Sequence, residues 1–360
     1  MKVALDVAAL HGQRTGIGTA VEQLEHRLRD HPTIELQQYV VSYRASLSPG
    51  VTRLPLPARV ATRSWARTNR PRVDRWIGQV DLIHGTNYVV PPARTARLVS
   101  VYDCWFLEQP EKCIPDVRRA GSILRRSIAS GAWVHTSSTA TEKKVRELCE
   151  TDRVRTIHLG LPALERCPDA PPPEAAEFAG QRFVLALGTC EYRKRQSWLA
   201  GMIAEMDPTI DFGIAGSDGD DSATLHALIS GLSQAHRRRI HLLGAISGET
   251  KSWLLHNAAA LAYPSLDEGF GFPILEAQLA GVPVVASDVG SIAEVGGAGV
   301  RLVARDDRAG FVQALHECVE PGDSRTSLVA AGTSNIGRFS WDRTVDELVT
   351  YYLDIVGGCE

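Results

Sequence analysis

The chain has 360 residues, 39 Lys and Arg against 42 Asp and Glu, a net charge of −3, 44% hydrophobic residues and 31 glycines. That length suits two domains, each able to bury its own core, and the near-balance of charge excludes a general affinity for nucleic acid. No run of 18 apolar residues is present, which excludes an integral helical membrane protein.

In chain order, MKVALDVAAL places Asp6 inside an apolar run with no small-residue cleavage site after it, so it predicts a buried first strand over 2–10 rather than a leader. A Gly16-Ile17-Gly18 turn and a helix follow. From Arg53 to Trp76 lie seven arginines, Trp65, Trp76 and the single acid Asp74. This reads as a solvated helix with its tryptophans packed on the domain, weighed against peripheral membrane contact through 53–75. Short Val-, Ile- and Leu-rich runs at 80–85, 97–102, 133–136 and 154–159 predict buried parallel strands separated by helices. One of these helices opens with Thr139-Ala-Thr-Glu142, a capping-box pattern.

The proline-rich, aperiodic stretch from Cys167 to Gln181 is the expected linker, dividing the chain into domains 1–170 and 171–339. Strands are then expected at 182–187, 212–215, 240–243, 259–263, 283–286 and 300–303, with a last helix over 340–357 after Ser340 as N-cap. The seven cysteines are odd in number and never spaced C-x-x-C, as expected for reduced thiols in the cytoplasm.

The chemistry concentrates in PSLDEGFGFPILEAQLAG, from Pro264 to Gly281. A strand ends at Tyr263, a glycine-bearing loop follows, and a helix begins near Pro273 and stops at Gly281. In a doubly wound sheet such a loop and helix start lie at the ligand-binding edge. Gly269 and Gly271 allow close backbone approach, and the helix N-terminus favours a diphosphate. Glu268 and Glu276 can both accept hydrogen bonds from sugar hydroxyls, each contributing roughly 1.5 to 3 kcal/mol. Hydroxyl-rich ligands with a diphosphate are nucleotide sugars.

This segment resembles the E-x7-E signature of retaining glycosyltransferases of family four, which adopt the GT-B fold. RFVLALGTCEYRKRQSWL and IHLLGAISGETKSWLLHNAAALAYPS resemble further stretches of the family; ALHGQRTGIGTAVEQL, VDLIHGTNYVVPP and SVYDCWFLEQP do so more loosely. The resemblance implies an α/β architecture of two Rossmann-like, doubly wound domains facing across a cleft. The acceptor then lies in the N-terminal domain and the donor in the C-terminal one, and the last helix packs back on the former. It implies that Glu276 binds ribose hydroxyls, that Glu268 with the amides of Gly269, Phe270 and Gly271 holds sugar and diphosphate, and that Lys194, helped by Arg193, neutralises the diphosphate. Ile246 then meets the base, Gly16 and Gly18 approach the phosphates, and His84 faces the acceptor.

The family's usual His-Asp is Tyr102-Asp103 here, and its Arg after the glycine is Thr189. Asp103, Tyr102, Lys194 and Glu268 are therefore the expected catalytic positions. No cofactor is expected beyond the donor, GDP-mannose in first place with UDP- or dTDP-sugars next. The acceptor is a hydroxyl-bearing glycan, glycolipid or small molecule. Asp218-Gly219-Asp220 spells D-x-D, but in a polar loop where a solvated turn is expected, so no metal is assigned. The alternatives are a nucleotide-sugar-binding protein impaired in transfer and, lacking the G-x-G-x-x-G fingerprint, an NAD-dependent oxidoreductase.

Overall fold

The aliphatic runs form thirteen parallel strands in two separate sheets among the described residues of the computed structural model, 1–11, 16–42, 47 and 49–358. The first sheet contains β1 (Lys2–Asp6), β2 (Glu35–Val41), β3 (Thr52–Leu54), β4 (Leu82–Gly85), β5 (Ala96–Val101), β6 (Trp133–Thr136) and β7 (Val154–Thr156). The second contains β8 (Arg182–Leu187), β9 (Ile210–Ala215), β10 (Ile240–Gly244), β11 (Ala260–Tyr263), β12 (Val284–Ser287) and β13 (Val300–Val303). The orders are β3-β2-β1-β4-β5-β6-β7 and β10-β9-β8-β11-β12-β13. Both are doubly wound, reversing between β1 and β4 and between β8 and β11. The sheets define two units, residues 1–160 with the segment from 339 on, and residues 161–338.

All six strands expected in the second half are present. In the first half β2 and β3 were not expected, because ELQQYVV opens with polar residues. Partners explain them: the Gln37 amide donates to the Ile77 carbonyl at 2.9 Å and the Gln38 amide to Glu25, so two polar side chains are satisfied beside the strand. The first strand stops at Asp6 rather than residue 10, since Asp6 Oδ1 accepts the Ala8 amide at 2.9 Å and turns the chain. The cap expected at Thr139 falls on Ser138, whose hydroxyl accepts the Thr141 amide at 3.1 Å. Glu142 is drawn instead to Arg146 and the Thr156 amide.

The proline-rich stretch expected as a linker is a packed part of the second unit. Residues Pro173–Phe178 form a 3-10 helix whose Ala175 and Phe178 are buried against Phe183, Leu185 and Leu261. The chain passes between units at Gly160 and Leu161 instead.

Trp65, in helix Ala58–Trp65, is buried in the first core and donates its indole N–H to the Pro71 carbonyl at 3.0 Å. Trp76 is partly buried there beneath the Arg75 guanidinium, 4.0 Å from its ring centre. No helix among the described residues is long and apolar enough to cross a membrane.

Helix Trp341–Gly357 covers the first sheet. Ser340 caps it, and Leu348, Tyr351, Tyr352 and Ile355 are buried. The Tyr351 hydroxyl donates to the Val134 carbonyl at 3.1 Å, and Arg27 and Arg155 pair with Asp342 and Asp354. A Cβ on Gly160 would stand 2.4 Å from Trp341, so only glycine lets the helix seat.

Beneath this helix a buried polar chain corrects the reading of His84. His84 has no exposed surface; its Nδ1 meets the Tyr352 hydroxyl at 2.7 Å and its Nε2 the Ser100 hydroxyl at 2.8 Å. Ser100 also meets His135 Nδ1 at 2.9 Å, and His135 Nε2 meets the Ile157 carbonyl at 3.0 Å. That carbonyl can only accept, so His135 donates from Nε2, Ser100 donates to His135, His84 donates to Ser100, and Tyr352 donates to His84. Both ring nitrogens of His84 are thus committed inside the core, and none faces an acceptor.

Burial holds His84 well below the usual histidine value and lowers His135 to about 4. Both are neutral when folded and take a proton on unfolding below the ordinary value near 6.5. Stability is therefore retained above that value and lost as pH falls toward 4. Urea unfolding at pH 7 and pH 5 should differ by about 2 kcal/mol through His135 alone, and His135→Gln should shrink that difference.

Candidate functional site

In the second sheet the strand order reverses between β8 and β11, so the loops after these two strands leave its carboxyl edge side by side. After β8 the chain turns at Gly188, with φ +126°, and forms the short 3-10 turn Tyr192–Lys194. After β11 it runs through Ser265, Asp267 and Glu268 into helix Phe272–Leu279, with Gly271 at the N-cap in the left-handed region at φ +99°. A side chain with a Cβ is disfavoured there.

The two loops are stitched together. The Arg193 carbonyl accepts the Leu266 amide at 2.7 Å, and its guanidinium donates to the Asp267 carbonyl at 2.8 Å and pairs with Glu268 Oε2 at 3.0 Å. Glu191 lies 3.3 Å from the same guanidinium. Glu268 is 7% exposed, and Ser265 donates to its Oε1 at 2.8 Å. Burial pushes the Glu268 carboxyl up, but Arg193, Lys194 and the Ser265 and Tyr263 hydroxyls outweigh it, so the group stays below the usual carboxylate value and is ionised. Ser291 supports the loop from beneath, donating its amide to the Glu268 carbonyl at 3.0 Å and sharing its hydroxyl between the Glu268 and Phe270 carbonyls. Phe270 is buried edge-on against Phe272.

Lys194 differs from its neighbour. Among the described residues its ammonium has no carboxylate within salt-bridge distance; it lies 6.0 Å from the Tyr263 ring centre and beside Gly188. A Cβ on Gly188 would come within 2.5 Å of Lys194 Nζ, so this glycine reserves the volume the ammonium occupies. Glu276 projects from helix Phe272–Leu279, 7% exposed, with Lys251 Nζ 2.6 Å from its Oε1. Ile246 is partly buried in the loop before helix Gly248–Asn257. Thus Lys194, Glu268, Gly269, Phe270, Gly271 and Glu276 gather on one edge of one unit, with Arg193 as the clasp between loops. Asp220 of the D-x-D accepts the Tyr192 amide at 2.7 Å and anchors the 3-10 turn.

The sequence reading missed Lys251, Ser265 and Ser291. Lys251 sits in a stretch with no charge pattern of its own, and the serines act through backbone geometry that spacing does not reveal.

The first unit presents a smaller constellation at the end of β5. Asp103 Oδ2 accepts the Tyr88 hydroxyl at 2.8 Å and Oδ1 the Trp105 amide at 3.1 Å. Tyr88 sits at φ +59°, a strained conformation for an aromatic residue, costing on the order of 1 kcal/mol. Tyr102, expected beside Asp103 at the reacting centre, is 7% exposed with its hydroxyl sealed from solvent, edge-on to His135 and Tyr88. Burial holds that phenol above its usual value, so Tyr102 supplies neither base nor ligand contact. Asp6, at the end of β1, has its carboxyl raised to about 6 by burial. Gly16 and Gly18 form the first turn of helix Gly16–Asp30, and the residues before them, 12–15, lie outside the described set. A Cβ on Gly18 would lie 3.2 Å from the Ala9 carbonyl oxygen.

Residues 181–320, which hold this second-unit edge, match the family model described as "Glycosyl transferases group 1". The chain is 28% identical over 284 residues to the O-antigen chain mannosyltransferase B of Escherichia coli, covering 75% of this chain and 74% of that protein. It is 26% identical over 378 aligned positions to the phosphatidyl-myo-inositol mannosyltransferase of Mycolicibacterium smegmatis, covering 95% and 91%. Among solved structures, sucrose-phosphate synthase from Thermosynechococcus elongatus superposes with a TM-score of 0.75 at 18% identity, over 99% of this chain and all of that one. The two doubly wound sheets are those of the GT-B fold.

Proposed function

We propose that the protein is a glycosyltransferase that moves a hexose from a nucleoside-diphosphate sugar to a hydroxyl acceptor. The observation that carries this reading is the Lys194 ammonium, which among the described residues has no carboxylate within salt-bridge distance, at the strand-order reversal beside two buried carboxylates, Glu268 and Glu276. A cation of this kind balances the negative charge that grows on a departing nucleoside diphosphate. The carboxylates take sugar hydroxyls, Glu276 those of the ribose and Glu268 those of the transferred hexose. The start of helix Phe272–Leu279, with Gly269, Phe270 and Gly271, receives the diphosphate. Ile246 lies against the base. In the first unit Asp103, oriented by Tyr88, is assigned to an acceptor hydroxyl.

The mannosyltransferases of E. coli and M. smegmatis support mannose as the sugar, and GDP-mannose as the first donor to try, ahead of UDP- and dTDP-sugars. Transfer with retention of configuration follows from the resemblance of the Glu268 to Glu276 segment. The acceptor belongs to the hydroxyl-bearing glycans and glycolipids.

A thermal-shift panel of GDP, UDP, dTDP and NAD⁺ tests the site. One nucleoside diphosphate at 100 times its dissociation constant should add about 2.7 kcal/mol of stability, and Glu276→Ala should abolish that gain. Stabilisation by none of them, or by NAD⁺ alone, would refute the assignment. Lys194→Ala should lower kcat by roughly 10²-fold while changing donor affinity far less, because the charge it meets is largest in the transition state. Gly188→Ala should reproduce much of that loss in kcat without removing any functional group, since its methyl would stand 2.5 Å from the Lys194 ammonium and push it aside.

A further inference from the structure

Glu276 is 7% exposed, and a carboxylate so far withdrawn from water is held by a partner. Its partner is Lys251, on helix Gly248–Asn257, with Nζ 2.6 Å from Oε1 and the side chain 31% exposed. The helix is fixed at its start by Ser247, which accepts the Thr250 amide at 3.0 Å, and one residue after Lys251 by the Ser252 hydroxyl, which donates to the Glu165 carbonyl at 2.6 Å. Lys251 therefore rises from a held segment. An ammonium has three donors and no acceptor, and a carboxylate only accepts. One N–H is used on Oε1; the remaining two, and Oε2, have no partner among the described residues. A donor and an acceptor thus stand side by side, which matches a hydroxyl group that must both accept and donate.

We propose that Lys251 is a positioning and specificity-determining residue of the donor site. It fixes Oε1 of Glu276 and donates a second N–H to a ribose hydroxyl oxygen, while Oε2 accepts a hydrogen bond from that hydroxyl. The pair reads the 2′,3′-diol and selects ribonucleotides over deoxyribonucleotides. This rests on the donor-site reading above.

Calorimetry with GDP, 2′-deoxy-GDP, UDP and 2′-deoxy-UDP on the wild type, Lys251→Met and Lys251→Arg tests it, with the melting temperature of each variant as a folding control. The wild type should bind one ribonucleotide at least about tenfold more tightly than its 2′-deoxy form. Lys251→Met should shrink that ratio to under about threefold, and Lys251→Arg should restore most of it. A lysine that merely balanced charge would leave the ratio unchanged while shifting both affinities together. An unchanged ratio in Lys251→Met, with binding intact in the wild type, overturns the role of Lys251 alone. Binding of no nucleotide by the wild type overturns the donor site and this role with it.

Discussion

A parallel sheet whose strand order reverses must send two loops out of the same edge with nothing between them, and the Arg193–Glu268 ion pair fills that gap in the second unit. Much of that edge depends on it. Glu268 is desolvated, and the guanidinium is the foremost of the contacts that hold its carboxyl below the usual value; Arg193 in turn carries the Leu266 amide on its own carbonyl and so fixes the path of the second loop. Ser291 and the short β8 turn then have a rigid loop to support. Arg193 makes the ion pair, while Lys194 acts on Glu268 from farther away. Two adjacent basic residues in a 3-10 turn thus point to different places, Arg193 to the second loop and Lys194 toward Gly188 and the Tyr263 ring.

The first unit solves the same topological problem with neutral groups. Its sheet reverses between β1 and β4, yet the polar atoms near that reversal form a chain of histidines, a serine and a tyrosine in which every proton has a single direction to point. Such a chain is satisfied only when complete, so it specifies how helix Trp341–Gly357 seats on the sheet. The nearby strain at Tyr88 orients Asp103, the one carboxylate there held by a phenolic hydroxyl.

The second unit was legible in the sequence because its strands are continuous apolar runs and its loops carry glycine and proline where the backbone needs them. Gly271 at its left-handed N-cap and Pro273 in the first turn mark the start of the helix in the sequence itself. What the sequence hid were relations set by tertiary contact. Gln37 and Gln38 make a strand look like a loop until their partners are known, and Phe178 makes a linker look solvated until its core is seen. His84 and Tyr102 were placed by analogy at a strand end, which fixes a position along the strand but not the face. Both side chains take the face that the last helix covers. Lys251 went unnoticed because its partner lies 25 residues away.

The route of the chain bears on how the protein is made. Residues 161–338 form a continuous stretch that holds its own core, whereas one face of the first sheet is completed only when residues 341–357 have been synthesised. On a ribosome the second unit can therefore close while the first is still waiting, reversing the usual amino-to-carboxyl sequence of domain folding. During that interval His84 lacks its Tyr352 partner, and the Val134 carbonyl lacks the Tyr351 hydroxyl.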